Sequence, residues 1–225
     1  EFFGANQTIP GRQYVDLKLS GTGTKTSDAD VTVTGTATVA AGVTYDTGPF
    51  TTHLTGTLSE LGYVTGKMDK TLTLSGGAGS SAFGNIGTTI TWSGTAPGAT
   101  TVMRRSGTAS TAVATGNSSI KRYYDITPAT NAGLNATLVF KYADAELNGQ
   151  SAATLSLWKS TDGGATWRNQ GGTVDLAQRT ITKTGISSFS RWTASDAAHP
   201  LGPMSVEGVA ENLAISMGNG QTGNI

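Results

Sequence analysis

The chain has 225 residues, only 13% of which are charged, and 15 basic residues balance 15 acidic ones. It contains no cysteine, so disulfides and cysteine-ligated zinc are excluded. Its basic residues form no stripe, which argues against nucleic acid as a partner, and a net charge of zero favours self-association. Because no apolar run approaches the roughly 18 residues of a membrane helix, we expect no membrane insertion.

The N-terminus contains a candidate assembly strand. Phe2 and Phe3 precede Ile9, and an extended segment of this kind can add to the sheet edge of a neighbouring molecule, with an aromatic side chain entering an apolar groove. The competing interpretation is a first strand that packs into its own domain. Both interpretations stay open on the sequence alone.

Strand-type alternation dominates the first 100 residues, which are rich in Thr and Gly. Residues 31–33, 71–74 and 88–92 alternate with period two, and turns containing Gly separate such segments. Residues 17–26, 31–43 and 54–66 look like worn copies of one unit. We therefore predict that residues 1–100 form stacked hairpins or β-solenoid-like rungs, or else a first sandwich.

The composition changes near residue 100, and Pro97-Gly98 is the best candidate for a boundary. Residues 101–201 contain three of the four tryptophans and alternate again at 136–142 and 154–158, which predicts an antiparallel β-sandwich of jelly-roll or Greek-key type. The whole chain is thus expected to be all-β. Residues 202–225 are predicted to be a C-terminal extension and a second candidate assembly strand, with the apolar residues Val206, Val209, Leu213 and Ile215.

Residues 160–167 read STDGGATW. A turn closed by the Asp162 side chain needs glycine at its positive-φ corner, which Gly164 supplies between Ser160 and Trp167. The pattern S-x-D-x-G-x-T-W resembles the Asp-box of sialidases and other β-propeller proteins, where it recurs in each blade away from the catalytic centre. Here it occurs once, in a chain too short for six blades. We predict a structural hairpin turn rather than a glycosidase.

Catalytic patterns are missing elsewhere in the sequence. Asp144 and Glu146 share a strand face by the two-residue period, so their oxygens offer a calcium site, with a solvated strand end as the simpler interpretation. His53 and His199 are distant in sequence and do not make a zinc site. The nucleophile pattern G-x-S-x-G and the P-loop pattern are absent. We expect a protein that is not an enzyme and has no resident cofactor.

Four segments share a family resemblance. They are residues 5–26, which contain a Q-T-I strand, a Gly turn and an L-x-L-S-G-x-G-T-K-T strand, residues 119–149 and 155–172, and the phrase ITKTGISSFSRWTASDAAHPL at 181–201. Together they resemble large, repetitive, adhesin-like secreted surface proteins of the Bacteroidetes and related bacteria. The resemblance implies an exported, extracellular or cell-surface protein with a structural or adhesive role. Because the first residue is not Met, we expect a mature chain or a segment of a longer one.

Two functional hypotheses follow. The first is an extracellular structural subunit that assembles with copies of itself into a filament or matrix, by donor-strand addition; the low charge and the β-rich sequence support it. The second is an adhesive module that binds surface glycans, which requires aromatic rings on an exposed platform. Trp158, Trp167 and Trp192 are available, although tryptophans more often fill a sandwich core. Two of these three on one exposed surface would favour the second hypothesis.

Overall fold

The computed structural model describes residues 1–203, which contain β-strands and no α-helix. The strands are β1 (Gln7–Ile9), β2 (Gln13–Tyr14), β3 (Leu17–Leu19), β4 (Gly23–Ser27), β5 (Val31–Val33), β6 (Thr36–Val39), β7 (Val43–Leu54), β8 (Thr57–Glu60), β9 (Tyr63–Leu74), β10 (Gly79–Ser81), β11 (Thr88–Trp92), β12 (Gly98–Ser106), β13 (Arg122–Pro128), β14 (Ala136–Lys141), β15 (Ser156–Ser160), β16 (Arg168–Gly171), β17 (Thr173–Asp175), β18 (Thr180–Ile186) and β19 (Arg191–Ser195). Three short 3-10 turns lie at Phe83–Asn85, Asp144–Glu146 and Ala152–Thr154.

Strands β1 to β9 wind into a β-solenoid-like arrangement in which neighbouring strands are parallel. One column contains β1, β4 and the first halves of β7 and β9; a second contains β2, β5 and the second halves of β7 and β9; a third contains β3, β6 and β8. Gly23 pairs with Val43, and Leu17 pairs with Ala37, in each case 20 residues further along the chain. Parallel neighbours at this spacing are the rungs of a solenoid, because a hairpin would make them antiparallel.

Period-two alternation decides which side chains face the solenoid interior. Val31 and Val33 of β5 are buried, as are Leu17 and Leu19 of β3, whereas Thr32 lies on the outer side. Burying a side chain of this size contributes roughly 1.5–3 kcal/mol to stability. The Val residues of β5 and the Leu residues of β3 therefore fill the solenoid interior, and Thr32 stays outside it.

Acidic and amide side chains join successive rungs at the corners. Each accepts a hydrogen bond from a backbone N–H of the next rung: Thr24 N to Asn6 Oδ1 at 2.8 Å, Thr36 N to Asp16 Oδ1 at 2.7 Å and Thr51 N to Asp30 Oδ1 at 2.8 Å. Such bonds satisfy backbone groups that the irregular corners would otherwise leave unpaired. The Asn and Asp residues between the strands are therefore part of the stacking.

Strand β9 connects the parallel rungs to the antiparallel strands. It pairs with β7 in parallel and with β12 antiparallel. The resulting 11-stranded sheet, called the main sheet below, has the path β1-β4-β7-β9-β12-β13-β19-β15-β16, with β2 and β5 beside β7. Strands β1 and β16 therefore lie at its opposite edges.

A second, five-stranded antiparallel sheet has the order β10-β11-β14-β18-β17. Its buried residues Leu138 and Phe140 share a core with Tyr124 and Trp192 of the main sheet. The Tyr124 and Phe140 rings meet edge to face, with centroids 4.9 Å apart and planes at 89°, which is a favourable arrangement for aromatic pairs. This core lies next to the last rung of the solenoid.

The all-β prediction is confirmed, and so is the solenoid-like alternative for the first half of the chain. The antiparallel sandwich predicted for residues 101–201 is shown only in part: the strands from β9 onwards pair antiparallel, but they share a mixed sheet with the parallel first strands, and the sandwich itself stays a prediction. Strand β12 begins at Gly98, so the predicted boundary falls where this sheet passes from β9 to β12. The division into residues 1–100 and 101–201 stays a prediction, and residues 204–225 lie outside the described part.

Candidate functional site

The hairpin at residues 160–167 is built as an Asp-closed turn between β15 and β16. Thr166 donates to Asp162 twice, from its N–H to Oδ1 at 2.9 Å and from its hydroxyl to Oδ2 at 2.6 Å. Ser160 Oγ donates to Asp162 Oδ1 at 2.7 Å and accepts from Gly164 N at 2.8 Å. Gly163 and Gly164 have φ of 75° and 106°, which only glycine adopts without strain. The turn thus uses the Ser, Asp and Gly that the sequence pattern singles out.

Hydrogen bonds dominate the electrostatics of this turn. The Thr166 hydroxyl, then the Thr166 N–H and the Ser160 hydroxyl, hold the pKa of Asp162 well below its ordinary value, because each stabilises the ionised carboxylate. Trp167 is buried in a small cluster with Trp158, Ala112 and Leu201. The hydrogen bonds of the Asp162 side chain and the burial of Trp167 thus stabilise the hairpin.

The tryptophans form no exposed platform. Trp158, Trp167 and Trp192 are all buried, the first two in the small cluster and Trp192 in the main core. The glycan-binding hypothesis required an exposed aromatic platform, and these three tryptophans do not provide one.

Two acidic residues considered for calcium are each paired with an arginine. Asp144 lies 2.6 Å from Arg179, and the buried Glu146 lies 2.8 Å from Arg122 Nε. Glu146 also accepts hydrogen bonds from Ala143 N and from other donors. Carboxylates satisfied in this way have no oxygens directed at a common point for a cation. Residues 1–203 contain no group of three His, Asp or Glu side chains arranged to hold a metal ion.

The last rung of the solenoid joins the antiparallel strands through buried ion pairs. Arg104 Nη1 donates to Glu60 Oε2 at 2.7 Å, and Arg104 is almost fully buried. Tyr63 donates its hydroxyl to Glu146 Oε1 at 3.2 Å, which connects β9 to Arg122 of β13. Burial first, and then the negative charge of Glu146, raise the pKa of Tyr63. These residues close the end of the solenoid that faces the second sheet.

A polar groove lies beside this junction. Two adjoining cavities of about 300 and 240 Å³ share Asn85, Gly87 and Lys141, and Thr89 and Thr180 also line the larger cavity. Hydroxyl, amide and ammonium groups on one wall are the donors and acceptors that bind small polar ligands. This groove could not be predicted from the sequence, because its residues come from separate strands and from the 3-10 turn at Phe83–Asn85.

Within residues 1–203, no strand pairs with the outer side of the solenoid's first rung, which is therefore called the open edge below. In a parallel ladder, alternate residues direct both backbone groups to the same neighbour. Ile9 O accepts from Asp28 N at 3.2 Å, so Ile9 and, two residues earlier, Gln7 face β4. Thr8 between them therefore directs its N–H and C=O away from β4, at the edge of the main sheet.

The second column ends in the same way. Thr32 N donates to Arg12 O at 3.1 Å, and Thr34 N donates to Tyr14 O at 2.9 Å. Gln13 lies between Arg12 and Tyr14, so its backbone groups also face outwards. The first rung thus presents outward-facing backbone groups in two columns.

Apolar side chains surround this edge. Phe3 is 72% exposed and Val15 is 70% exposed. Phe2 packs partly against the core and meets the Tyr14 ring at 6.2 Å, and Ile9 is fully buried. Among the predicted assembly residues, Phe2 and Ile9 thus belong to the chain's own first rung, and Phe3 is the one left exposed. The residues Val206, Val209, Leu213 and Ile215 lie outside the described part.

The opposite end of the solenoid is covered. The 3-10 turn Phe83–Asn85 lies against β8, and Lys70 donates its ammonium to Thr55 O at 2.6 Å and to Gly56 O. Terminal rungs of solenoids normally need such a cap to remain soluble and unpaired. The cap is thus built at the β8 end, whereas β1 and β2 remain edge strands.

The two histidines pair with aspartates. His53 Nδ1 lies 2.9 Å from Asp69 Oδ1, with Asp30 3.9 Å from the other ring nitrogen. His199 Nδ1 lies 2.7 Å from Asp196. The two sites belong to different parts of the chain, His53 to β7 and His199 to the segment after β19.

Sequence reasoning missed Lys25, the ion pairs at the junction and the polar groove. Lys25 is fully buried and donates to Gly4 O at 2.8 Å, to Thr22 O at 3.2 Å and to Ala5 O. One signal was present: Lys25 occupies an inward position of the alternating segment Gly23–Ser27, where a charged residue needs buried partners.

No protein-family model, no curated protein and no solved structure matches this chain. Within residues 1–203, no helix has the length and apolar character needed to cross a membrane. A proposal about function therefore rests on the fold and on the contacts of the described residues.

Proposed function

We propose that this chain is an extracellular structural subunit that assembles with copies of itself into a cell-surface filament or matrix. The observation that carries the proposal is the open first rung: an edge with outward backbone groups in two columns, beside the exposed Phe3 and Val15, on a solenoid whose other end is covered. Exposed edges and exposed apolar side chains both favour association with another chain. The role requires no catalytic residues.

The edge accepts an added strand over a short length only. Pro10 follows β1 directly, and proline has no N–H to donate. Because Ile9 faces β4, Thr8 supplies the last outward N–H of the first column. Natural edge strands use proline to limit uncontrolled pairing, so this edge suits one defined partner strand rather than open-ended aggregation.

Assembly through one edge is a head-to-tail contact, because the surface used on one copy differs from the surface used on the next. Contacts of this kind form rings when the rotation closes and open filaments when it does not. A chain with zero net charge opposes such contacts with little electrostatic repulsion.

The test blocks the edge without disturbing the fold. Thr8 is exposed, so Thr8→Pro removes one outward N–H, whereas the matched control Thr8→Ala keeps it. We expect wild-type protein and Thr8→Ala to form concentration-dependent oligomers in sedimentation velocity and Thr8→Pro to remain monomeric. Circular dichroism of all three checks that the fold is intact. Monomers of wild-type protein at every concentration would overturn the proposal.

A second candidate function is adhesion through glycan binding, and the polar groove favours it. Lys141, Asn85, Thr89 and Thr180 line a cavity of about 300 Å³, which is large enough for one sugar ring. The ammonium of Lys141 on this cavity favours an acidic sugar. The test is NMR titration with galacturonic acid and with galactose, using Lys141→Ala and, as a control, Lys183→Ala. Saturable binding of the acid that only Lys141→Ala abolishes would support this function; unchanged spectra would remove it.

The finer architecture is part of the same proposal. We infer that the antiparallel strands from β10 to β19 form a two-layer sandwich, with the main sheet and the five-stranded sheet as its layers. The shared core around Tyr124 and Phe140 supports this, because facing sheets bury their inner side chains against each other. In the assembled state this part spaces successive solenoids.

A further inference from the structure

We propose that the strand that completes the first rung is residues 206–217 of a second copy of this chain. The inference rests on the proposed function and names the partner segment for it. These residues contain Val206, Val209, Leu213 and Ile215 and lie outside the described part of the chain. The argument therefore comes from the shape and chemistry of the acceptor, from the reach of the chain and from the sequence of the segment.

The acceptor requires two inward-facing side chains two residues apart. Gln7 and Ile9 face the solenoid interior, as do their register partners Lys25 and Ser27 in the next rung. A strand added outside β1 places its own inward side chains in line with those of Gln7 and Ile9, so its inward positions also alternate with period two. Their contacts are the partly buried edge residues of the first rung, above all Phe2.

The tail sequence supplies this pattern. Leu213, Ile215 and Met217 alternate with the small residues Ala214 and Ser216. When Leu213 and Ile215 lie in line with Gln7 and Ile9, they cover the apolar end of the rung. The small residues Ala214 and Ser216 then lie on the outer side, beside Thr8. Strand addition works in this way: the backbone supplies the affinity and alternate side chains supply the specificity.

One polar group at the acceptor still lacks a partner. Gln7 Oε1 is buried, yet it has no hydrogen-bond partner in the described part of the chain. A buried acceptor left unpaired costs about 1–3 kcal/mol.

The tail begins at the other edge of the main sheet. Leu201 packs on Trp158 and Trp167 beside β15 and β16, and Thr115 and Asn117 both donate to Pro200 O at 2.9 Å. These contacts fix the point from which residues 204–225 leave. The acceptor strand β1 is the opposite edge.

This geometry favours a second copy over the chain's own tail. Strand β15 is seven strand-to-strand steps from β1, which is about 34 Å along the sheet at roughly 4.8 Å per step. Ten residues separate Pro203 from Leu213 and span at most about 36 Å when fully extended. Such a path would have to be straight and taut, and it would leave residues 206–212 unable to pair. A neighbouring molecule meets neither restriction.

The experiment uses two complementary full-length variants. Thr8→Pro spoils the acceptor and keeps the tail, whereas the double variant Leu213→Asp/Ile215→Asp spoils the tail and keeps the acceptor. We expect each variant alone to sediment as a monomer and an equimolar mixture to give a dimer and nothing larger, because only one functional contact is possible per pair. Replacing Val113, an exposed residue far from both sites in the sequence, with Asp is the control that should still polymerise.

The outcomes separate this inference from the proposed function. Wild-type protein that remains monomeric overturns both. Wild-type protein that polymerises together with a tail variant that also polymerises overturns the assignment of the tail and leaves self-assembly standing. A mixture of the two variants that stays monomeric, when each is folded by circular dichroism, contradicts the pairing of tail with first rung.

Discussion

Arg104 and Glu60 are 44 residues apart in sequence, and their side chains meet at 2.7 Å inside the protein. The contact connects β12 of the antiparallel strands to β8 in the last rung of the solenoid. Removing one partner of a buried pair leaves an uncompensated charge and costs about 3–5 kcal/mol. We therefore expect Glu60→Gln to lower the free energy of unfolding by about that amount in urea titrations, while Glu1→Gln at an exposed pair leaves it unchanged.

The same pair predicts a pH dependence. Burial opposes the ionisation of Glu60, but the charge of Arg104 and its hydrogen bonds hold the pKa of Glu60 below its ordinary value of 4.5. A carboxyl whose pKa is lower in the folded state stabilises the fold above its unfolded pKa and loses that contribution as the pH falls through the folded one. Stability should therefore decline below pH 4.5, and less steeply in Glu60→Gln. Equal slopes in wild type and variant would contradict this.

The corners of successive rungs stack so closely that a side chain added at Gly56 should lower the stability of the fold. A Cβ at this position would lie 1.6 Å from Gly35 O in the adjacent rung, whereas a Cβ at Gly77 would meet nothing within 4 Å. Forcing the rungs apart costs about 3 kcal/mol. Gly56→Ala should lower the melting temperature by several degrees and Gly77→Ala should not. Two variants of equal stability would show that these corners tolerate side chains.

Buried Lys25 holds the first rung in place. Its ammonium donates to carbonyls of Gly4, Ala5 and Thr22, and a hydrogen bond from a charged donor contributes about 1.5–3 kcal/mol. Lys25→Met should speed hydrogen exchange in residues 1–9, measured by mass spectrometry, while Lys18→Met at an exposed position leaves it unchanged. Unaltered exchange in Lys25→Met would show that the strand pairing alone fixes this rung.

The hairpin predicts a difference between two substitutions of Asp162. Asp162→Ala removes the acceptor of both Thr166 hydrogen bonds, whereas Asp162→Asn keeps an oxygen for one of them. Hydrogen exchange in residues 163–166 should be fastest in Asp162→Ala and intermediate in Asp162→Asn. Identical exchange in the wild type and in Asp162→Ala would mean that the turn keeps its shape without the Asp162 side chain.

Local features were predictable from the sequence. The Ser-x-Asp-x-Gly-x-Thr-Trp pattern is a short-range code, since the hydrogen bonds of the Asp162 and Ser160 side chains join residues at most four apart, and the structure has a turn closed by Asp162. Alternation also identified β5 and β11, because a period of two depends only on neighbouring residues.

Strand partners were harder to predict. Val31–Val33 alternates equally well in a hairpin and in a solenoid rung, and its partner on β7 is 21 residues away, as in the pair Val31 and Thr52. Corner residues such as Asp16 hold clues to the stacking, but Asn6, Asp16 and Asp30 are unevenly spaced in the sequence, so no strict period results. The ion pair of Glu60 with Arg104 and the groove at Lys141 arise only from tertiary contacts, for which a single sequence contains no pattern.

The most direct test of assembly through the first rung is negative-stain electron microscopy of wild-type protein, Phe3→Asp and Leu61→Asp. Phe3 and Leu61 are exposed to nearly the same degree, 72% and 74%, so neither substitution disturbs the core, and only Phe3 borders the open edge. We expect filaments or ordered arrays from wild-type protein and Leu61→Asp and single particles from Phe3→Asp. Single particles in all three samples, or filaments that survive Phe3→Asp, would contradict assembly through the first rung.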